Sequence, residues 1–259
     1  MLISQVAAQL FTVREFCKTA ETFAESMRKV RAIGYQAVQI SGVGPIPPAE
    51  IRRICADHGL TICATHEPGK LICDEPQAVI DRLAALGTRY TAYPFPHLPL
   101  TCLDEVKALA ENLDRSGAAL RQAGQVLCYH NHHHEFRRFA GKTALQWIYD
   151  LADPHNLQGE PDTYWVQTGG GDPVEWCTRL HGRLPLLHLK DYAISAEPKP
   201  IMAEIGNGNL NWRAIVAAAE TSGCAWYIVE QDTCPGDPFE SLRQSFAYLS
   251  THLAARPPA

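Results

Sequence analysis

Residues 125–136 read QVLCYHNHHHEF, and the change from apolar to polar residues inside this stretch decides the fold. The apolar run 126–129 has the length of a buried strand, and polar residues from His130 to Glu135 follow it directly. Residues 184–191 (LPLLHLKD) and 225–232 (AWYIVEQD) repeat this arrangement. Short apolar strands that end in polar residues are typical of a parallel sheet covered by helices.

The rest of the chain extends the same alternation of strands and helices. Candidate strands are 3–9, 36–41, 61–66, 88–93, 125–131, 161–166, 184–190 and 225–231, of which 161–166 has the weakest pattern. Between them, apolar residues recur at helical spacing in three clear stripes: Phe16, Ala20, Phe23, Met27 and Val30; Leu103, Val106, Leu109, Leu113 and Leu120; Phe239, Leu242, Phe246 and Leu249. These stripes predict helices that pack one face on the sheet.

Eight strand–helix units of about 32 residues each fit the size of a closed barrel. No linker or composition break divides the chain, so we expect residues 1–259 to form one domain. An open doubly wound sheet would favour a Gly-x-Gly-x-x-Gly turn after the first strand, but residues 10–14 read LFTVR. The sequence therefore predicts an α/β protein with a single (β/α)₈ TIM barrel.

Composition and charge exclude several classes of protein. The chain has 23 Lys+Arg against 28 Asp+Glu, a net charge of −5, and no basic block, which argues against a nucleic-acid partner. No apolar run approaches the roughly 20 residues that span a bilayer, and the first residues, MLISQVAAQLF, resemble a strand more than a signal peptide. Nine scattered cysteines without a Cys-x-x-Cys pair suggest reduced thiols. We expect a cytoplasmic protein without a membrane or nucleic-acid partner; whether it forms a homo-oligomer stays open.

Three successive predicted strands carry ionisable residues, namely Asp162, His188 and Glu230, and the last two lie close to the carboxyl ends of their strands. In a barrel these ends surround one mouth, and carboxylates brought together there repel unless a cation compensates. Mixed oxygen and nitrogen ligands without cysteine suit Mn²⁺, Co²⁺, Mg²⁺ or Zn²⁺. The sequence predicts a divalent metal site, with a fourth ligand from residues 130–135 that the residues alone leave open between Glu135, His130 and His132.

Two glycine clusters are candidate anion-binding turns. Gly169–Gly171 precede Asp172 and Pro173, which favours a loop and helix cap over an anion cradle. Gly206-Asn207-Gly208 forms a second tight turn for which both interpretations stay open.

Several stretches make the chain resemble the sugar isomerase/epimerase superfamily with the xylose-isomerase-like TIM barrel. The likeness covers nearly the whole length and is carried by QLFTVR (9–14), GYQAVQISGVGP (34–45), YHNHHHEF (129–136), DTYWVQTGGGDPVEW (162–176), PLLHLKDY (185–192), EIGNGNLNW (204–212) and YIVEQD (227–232). The resemblance implies a metal held by strands five to eight, and Asp162, His188 and Glu230 match the ligand positions. Many relatives carry a Glu at the end of strand five, where this chain has His130-Asn131-His132. Glu135 is then the preferred fourth ligand, with His132 behind it.

Members of this superfamily act on inososes, keto sugars or their glycosides, by dehydration, epimerisation or elimination. Their common step removes a proton next to a carbonyl, and a metal stabilises the enediolate. We expect Glu135 and Glu230 to carry protons, with His132 exchanging them. His66, His130 and Lys190 would bind substrate, and Trp165 would form an apolar wall.

The leading interpretation is therefore a metal-dependent sugar isomerase or epimerase. A metal-dependent lyase or dehydratase on a 3-keto sugar or inosose is the alternative, followed by a sugar-binding barrel without turnover. A zinc endonuclease for abasic DNA would need a basic face. A cofactor-free hydrolase would leave Asp162 and His188 unexplained, and the chain has no Gly-x-Ser-x-Gly elbow.

Overall fold

A computed structural model describes residues 1–255 and contains a single (β/α)₈ barrel, which confirms the predicted fold class. Eight parallel strands form one sheet, and helices cover its outer face. The barrel strands are β1 (Val6–Gln9), β2 (Ala37–Ile40), β3 (Thr61–His66), β4 (Tyr90–Tyr93), β5 (Val126–His130), β8 (Leu157–Glu160), β9 (Leu186–Leu189) and β12 (Trp226–Val229).

Two antiparallel hairpins lie outside the barrel. They consist of β6 (Arg138–Phe139) with β7 (Lys142–Thr143), and β10 (Asp191–Ile194) with β11 (Pro200–Ala203). The α-helices are α1 (Ala20–Ile33), α2 (Pro48–Asp57), α3 (Gly69–Asp74), α4 (Pro76–Leu86), α5 (Leu103–Gln122), α6 (Ala144–Leu151), α7 (Thr163–Thr168), α8 (Pro173–Arg179), α9 (Trp212–Thr221) and α10 (Pro238–His252). Short 3₁₀ segments cover Ile3–Gln5, Leu10–Phe16 and His134–Phe136.

The sheet order is β8-β5-β4-β3-β2-β1-β12-β9, and a single parallel bridge between Asp162 and His188 closes the seam between β8 and β9. Elsewhere each strand pairs with its neighbour in parallel, for example Tyr129 with Gly159. The carboxyl ends of all eight strands therefore face the same side, where loops enclose a mouth.

The sixth strand lies earlier in the chain than the sequence predicts. The prediction of a strand at 161–166 is wrong, because the strand is Leu157–Glu160 and residues 163–168 form α7. The side chain of Asp162 caps this helix by accepting a hydrogen bond from Trp165 N at 2.9 Å. The strand itself is hidden in the sequence because it contains Gly159, where a Cβ would lie 2.7 Å from the side chain of Leu180.

The helical stripes are largely confirmed, with one exception. α5 and α10 bury the predicted Leu109, Leu113 and Leu249. The prediction that Phe16 belongs to the first helical stripe is wrong, because Phe16 lies in the 3₁₀ segment before α1 and is 44% exposed.

The barrel has two apolar regions that differ in residue size. Large residues such as Phe23, Leu83 and Leu113 fill the layer between sheet and helices. Inside the barrel the buried cluster is Ala7, Ala37, Cys63, Ala64, Ala92, Cys128, Leu186 and Ile228. These mostly small side chains fill the narrow interior, and polar side chains occupy the strand positions above them.

All nine cysteines are unpaired and seven of them are buried, as the sequence suggests. Among residues 1–255, no helix has both the length and the apolar character needed to cross a bilayer.

Candidate metal centre

The polar strand ends open into a cavity of about 260 Å³ at the mouth of the barrel. Apolar walls and ionisable groups share this cavity, which is lined by Phe11, Ser41, His66, Pro94, Phe95, His130, His132, Glu230 and Asp232. The walls come from loops after five different strands, so only the closed barrel assembles the cavity.

Four buried residues at the base of the mouth form a group suited to a metal ion. One ligand atom each of His130, Asp162, His188 and Glu230 lies within 4.8 Å of the others. His188 Nδ1 lies 3.1 Å from Glu230 Oε2 and 3.8 Å from Asp162 Oδ2. The structure thus brings together the three strand-end residues Asp162, His188 and Glu230, and adds His130 from β5.

Two buried atoms of this group have no hydrogen-bond partner among residues 1–255. Asp162 Oδ1 accepts the cap hydrogen bond, whereas Oδ2 faces Lys190 Nζ at 3.0 Å without accepting a hydrogen bond. His130 Nδ1 is also buried without a partner. Buried polar atoms are normally paired, and an ion is one of the accepted explanations for exceptions. Two carboxylates and two imidazoles are ligands that Mn²⁺, Co²⁺ and Zn²⁺ accept, so the residues fit a divalent cation.

A second group of possible ligands, His66, His130, Glu160 and His188, overlaps the first. Both oxygens of its carboxylate already have partners, because Glu160 Oε1 accepts from Gln39 Nε2 at 2.7 Å and Oε2 lies 2.6 Å from His66 Nε2. Glu160 therefore supports the neighbouring histidines. We regard the first group as the better metal site, because Asp162 Oδ2 contacts Lys190 Nζ without accepting a hydrogen bond from any residue of 1–255.

Sequence reasoning missed Glu160 and assigned no role to Gln9 or Gln39, although all three are fully buried. Each stands at or next to the last position of a short barrel strand. That placement is the signal that could have found Gln9 and Gln39. Glu160 was hidden by the misplaced sixth strand.

Lys190 is a fully buried cation surrounded by carboxylates. Its Nζ lies 2.7 Å from Glu230 Oε2, 3.0 Å from Asp162 Oδ2 and 3.0 Å from Asp232 Oδ2. Burial alone would lower the pKa of Lys190, but these carboxylates raise it, so the ammonium stays charged. Lys190 thus offsets part of the negative charge at the base of the mouth.

The same charges shift the pKa values of the group. Burial opposes the charged form of His188, but Glu160 and Glu230 outweigh it and raise its pKa to about 10. Burial raises the pKa of Asp162 to about 6, against the opposing effect of Lys190. For Glu160, the nearby His188 and His66 overcome burial and lower the pKa to about 2. The pKa of Glu230 is likewise held well below its usual range, by Lys190 and His188 against burial.

Glu135, the preferred fourth ligand of the sequence analysis, belongs to neither group of possible ligands. The 3₁₀ turn His134–Phe136 directs its carboxylate under the strand end. There Oε1 accepts from Tyr129 Oη at 3.0 Å and Oε2 accepts from His132 N at 3.0 Å. Glu135 is fully buried, and burial raises its pKa to about 7. Its contacts hold the turn that carries His132.

His132 faces the mouth with a mostly buried ring. Burial, assisted by Lys190 and His134, lowers its pKa to about 3, so the imidazole is neutral at neutral pH. Its Nδ1 is buried without a partner. The ring lies 5.1 Å from those of Phe95 and Trp165, measured between centroids. A neutral imidazole in this position can accept a hydrogen bond from a ligand.

The remaining predicted residues also lie near the mouth. His66 lines the cavity, and Trp165 stands beside His132 with Lys190 Nζ 5.5 Å from its ring. The indole Nε1 of Trp165 is buried without a hydrogen-bond partner. Trp165 therefore presents an aromatic face and an N–H donor beside His132.

Both glycine clusters have structural roles. Asp172 Oδ1 caps α8 by accepting from Val174 N at 2.8 Å, and Phe136 packs so closely that a Cβ on Gly169 would lie 2.4 Å from it. This confirms the interpretation of the first cluster as a loop with a cap. In the second cluster, the backbone N–H groups of Gly206 and Gly208 donate to Asp191 Oδ2 at 2.8 and 3.1 Å. A protein carboxylate therefore occupies that turn.

Comparisons with known proteins agree with this architecture. A model of the xylose isomerase-like TIM barrel family matches residues 27–252. An inosose dehydratase from Lacticaseibacillus casei is 22% identical over 270 residues, covering 90% of each chain. A sugar phosphate isomerase/epimerase structure from Parabacteroides distasonis superposes with a TM-score of 0.83 at 22% identity, covering 96% of this chain and 98% of that one. A xylose isomerase-like TIM barrel protein from Mycobacterium smegmatis, in complex with magnesium, has a TM-score of 0.72 at 16% identity, covering 96% and 97%.

Proposed function

Because the chain belongs to the xylose isomerase-like TIM barrel family, we propose that it is a divalent-metal-dependent isomerase or epimerase of a keto sugar, an inosose or a related carbohydrate. The observation that carries this proposal is the buried group of His130, Asp162, His188 and Glu230 at the base of a cavity of about 260 Å³. These four residues would hold the cation. We assign His130, in place of Glu135, as the ligand from β5, because Glu135 is engaged with Tyr129 and His132.

When bound, a dication polarises the carbonyl and hydroxyl oxygens of such a substrate and stabilises the negative charge that develops as a proton leaves carbon. The protein must then supply a base beside that carbon. We assign His132 to this role because it lines the cavity and its Nδ1 is buried without a hydrogen-bond partner among residues 1–255. Glu230 lines the same cavity and is the second candidate proton carrier.

Other residues would orient the substrate and exclude water. Lys190 keeps the adjacent carboxylates ionised, and Asp232, with 26% of its side chain exposed, can accept a hydrogen bond from a substrate hydroxyl. Phe11 and Phe95 provide apolar walls on which the carbon face of a sugar can lie. We retain Trp165 as a further wall next to His132.

Dehydration of an inosose is the second candidate reaction, and the inosose dehydratase relative that covers 90% of this chain favours it. Both reactions begin with removal of a proton next to a carbonyl. They differ in the second step, because an isomerase or epimerase returns the proton, whereas a dehydratase expels a hydroxyl group.

The test begins with elemental analysis of the purified protein, followed by incubation with keto sugars and inososes in deuterated water. We expect bound divalent metal and deuterium on the carbon next to the carbonyl. Mass spectrometry separates the reactions, because dehydration gives a product lighter by one water. His132→Asn should retain the metal and lose most of the deuterium exchange. The control His133→Asn, which changes an exposed neighbouring residue, should exchange deuterium at the wild-type rate. Full exchange by His132→Asn would refute the assignment of the base, and full exchange by metal-free protein would refute metal dependence.

A further inference from the structure

Below the metal-ligating group, two amides and a carboxylate form a buried polar chain across the barrel. Gln9 lies on β1, Gln39 on β2 and Glu160 on β8, and none of the three is exposed to solvent. Buried polar side chains are costly unless every group is paired. Each polar group of these three side chains should therefore have a hydrogen-bond partner.

A backbone hydrogen bond sets the orientation of the first amide, that of Gln9. The Phe11 N–H donates to Gln9 Oε1 at 3.4 Å, which turns the amide nitrogen of Gln9 into the barrel. Gln9 Nε2 then donates to Gln39 Oε1 at 2.8 Å and lies 3.4 Å from His66 Nδ1. One amide nitrogen thus donates to Gln39 and also contacts the ring of His66.

The orientation of Gln39 follows from its own partners. Its Oε1 faces the amide nitrogen of Gln9, and its Nε2 donates to Glu160 Oε1 at 2.7 Å. The other oxygen of Glu160 lies 2.6 Å from His66 Nε2. An ionised carboxylate only accepts hydrogen bonds, so turning the Gln39 amide over would leave two mismatched contacts.

The fixed amide determines the hydrogen-bonding state of His188. His188 Nε2 lies 2.7 Å from Gln39 Oε1, a carbonyl oxygen that can only accept. The Nε2 atom must therefore carry hydrogen. The remaining nitrogen, Nδ1, faces Glu230 Oε2 at 3.1 Å and Asp162 Oδ2 at 3.8 Å.

We propose that Gln39 is a positioning residue that reserves Nδ1 of His188 for a divalent cation by holding a hydrogen on Nε2. This inference rests on the proposed metal site, which contains His188. Gln39 itself belongs to neither group of possible ligands. Hydrogen-bond partners that orient a ligating histidine typically contribute 10–100-fold to metal affinity. Gln9 and Glu160 act one step further away by fixing the orientation of Gln39.

Metal affinity measured by calorimetric titration with Mn²⁺ tests this role. Gln39→Met removes the acceptor at nearly constant size, and we expect Mn²⁺ to bind roughly 10–100-fold more weakly than to wild type. Thr65→Val is the matched control, because it deletes a buried hydrogen bond, 2.9 Å between Thr65 Oγ1 and Thr91 Oγ1, that involves neither Gln39 nor His188. The control should bind Mn²⁺ as wild type does. Equal weakening in both variants would show a purely structural effect and overturn the proposal.

Gln39→Glu provides a conservative rescue. The introduced carboxyl keeps an oxygen for His188, and a proton shared with Glu160 can replace the amide hydrogen, since two adjacent carboxyls raise each other's pKa. We expect its Mn²⁺ affinity to fall between wild type and Gln39→Met. If Gln39→Glu binds no better than Gln39→Met while both are folded, the acceptor oxygen is not what matters.

A second readout needs no metal. In ¹⁵N-labelled protein, the hydrogen on Nε2 of His188 should give a slowly exchanging resonance that disappears in Gln39→Met and persists in Thr65→Val. Failure of wild type to bind Mn²⁺ would refute the proposed metal site, and the resonance would still decide whether Gln39 orients the ring. Wild-type binding with unchanged affinity in Gln39→Met would refute the positioning role alone.

Discussion

The backbones of Asp162 and His188 are parallel neighbours across the seam at which the barrel closes. The His188 N–H donates to Pro161 O at 3.0 Å, beyond the last residue of β8. The two side chains therefore project side by side into the mouth, with Asp162 Oδ2 at 3.8 Å from His188 Nδ1. The backbone contact that closes the barrel thus also brings two of the four candidate ligands together.

Asp162→Asn should separate the two functions of this residue. The amide oxygen can keep the cap of α7, because Asn caps helices as well as Asp, while the charge at Oδ2 is lost. We expect Mn²⁺ affinity to fall at least tenfold, since loss of an orienting partner alone costs that much. The unfolding temperature should also fall, because the Asn amide nitrogen then faces the buried Lys190 Nζ in place of a carboxylate oxygen.

The matched control for Asp162→Asn is Asp172→Asn, which changes the cap of α8 outside the cavity. Metal content by elemental analysis and thermal unfolding of both variants check the prediction. Equal metal content in the two variants would contradict it.

Lys190→Met should destabilise the metal-free protein. The substitution leaves Asp162, Glu230 and Asp232 without their shared cation, and removing one partner of a buried ionic group costs about 3–5 kcal/mol. For a protein of this size the unfolding temperature should fall on the order of 10 °C. Added Mn²⁺ should raise it by more in the variant than in wild type, because the dication replaces the missing charge.

Lys142→Met provides the comparison for Lys190→Met, because Lys142 forms a solvent-exposed pair with Asp150 and should change stability by less than about 1 kcal/mol. Differential scanning calorimetry with and without chelator measures both. Equal unfolding temperatures of the two variants would show that the buried ammonium of Lys190 is not needed for stability.

Glu135 should make stability depend on pH. Its pKa is about 7 in the fold against an ordinary value of 4.5, so the folded state binds the proton more tightly than the unfolded chain does. The resulting stabilisation is fully present below about pH 4.5 and is lost as pH rises through 7, a change of about 2–3 kcal/mol between pH 5 and pH 8. Urea unfolding of wild type and Glu135→Gln at both pH values measures it. Between pH 5 and pH 8, wild type should lose more free energy of unfolding than Glu135→Gln does. An equal change in the two proteins would contradict the buried placement of this carboxyl.

Gly208→Ala should disrupt the loop that follows β11. A Cβ at this position would lie 2.3 Å from Asp191 Oδ1, a carboxylate that also accepts from Gly206 N and Trp212 Nε1. Overpacking of this kind costs about 1–3 kcal/mol, and a lowered unfolding temperature is expected. Gly236→Ala is the control, because nothing lies within 4 Å of its added Cβ. Equal unfolding temperatures of the two variants would show that Asp191 can move aside.

Predictability from the sequence differed between elements for physical reasons. β3 was placed without error at 61–66, because its apolar run is uninterrupted and polar residues bound it. β8 was misplaced, because its four residues include Gln158 and Gly159 and carry no β pattern. Asp162 lies near the start of the predicted strand 161–166 but follows the carboxyl end of β8, and its bridge to His188 extends the barrel to this residue.

The sequence by itself determined the alternation of eight strands and helices, and with it the meeting of Asp162, His188 and Glu230 at one mouth. Parallel strands in a barrel bring their carboxyl ends together whatever the details of packing. Only the tertiary structure decided that Glu135 turns under the strand, that Lys190 lies among three carboxylates and that Gln39 contacts both Glu160 and His188. The contacts of Gln39 join strands that are not neighbours in the sheet, and no local pattern encodes which side chains face each other across the barrel.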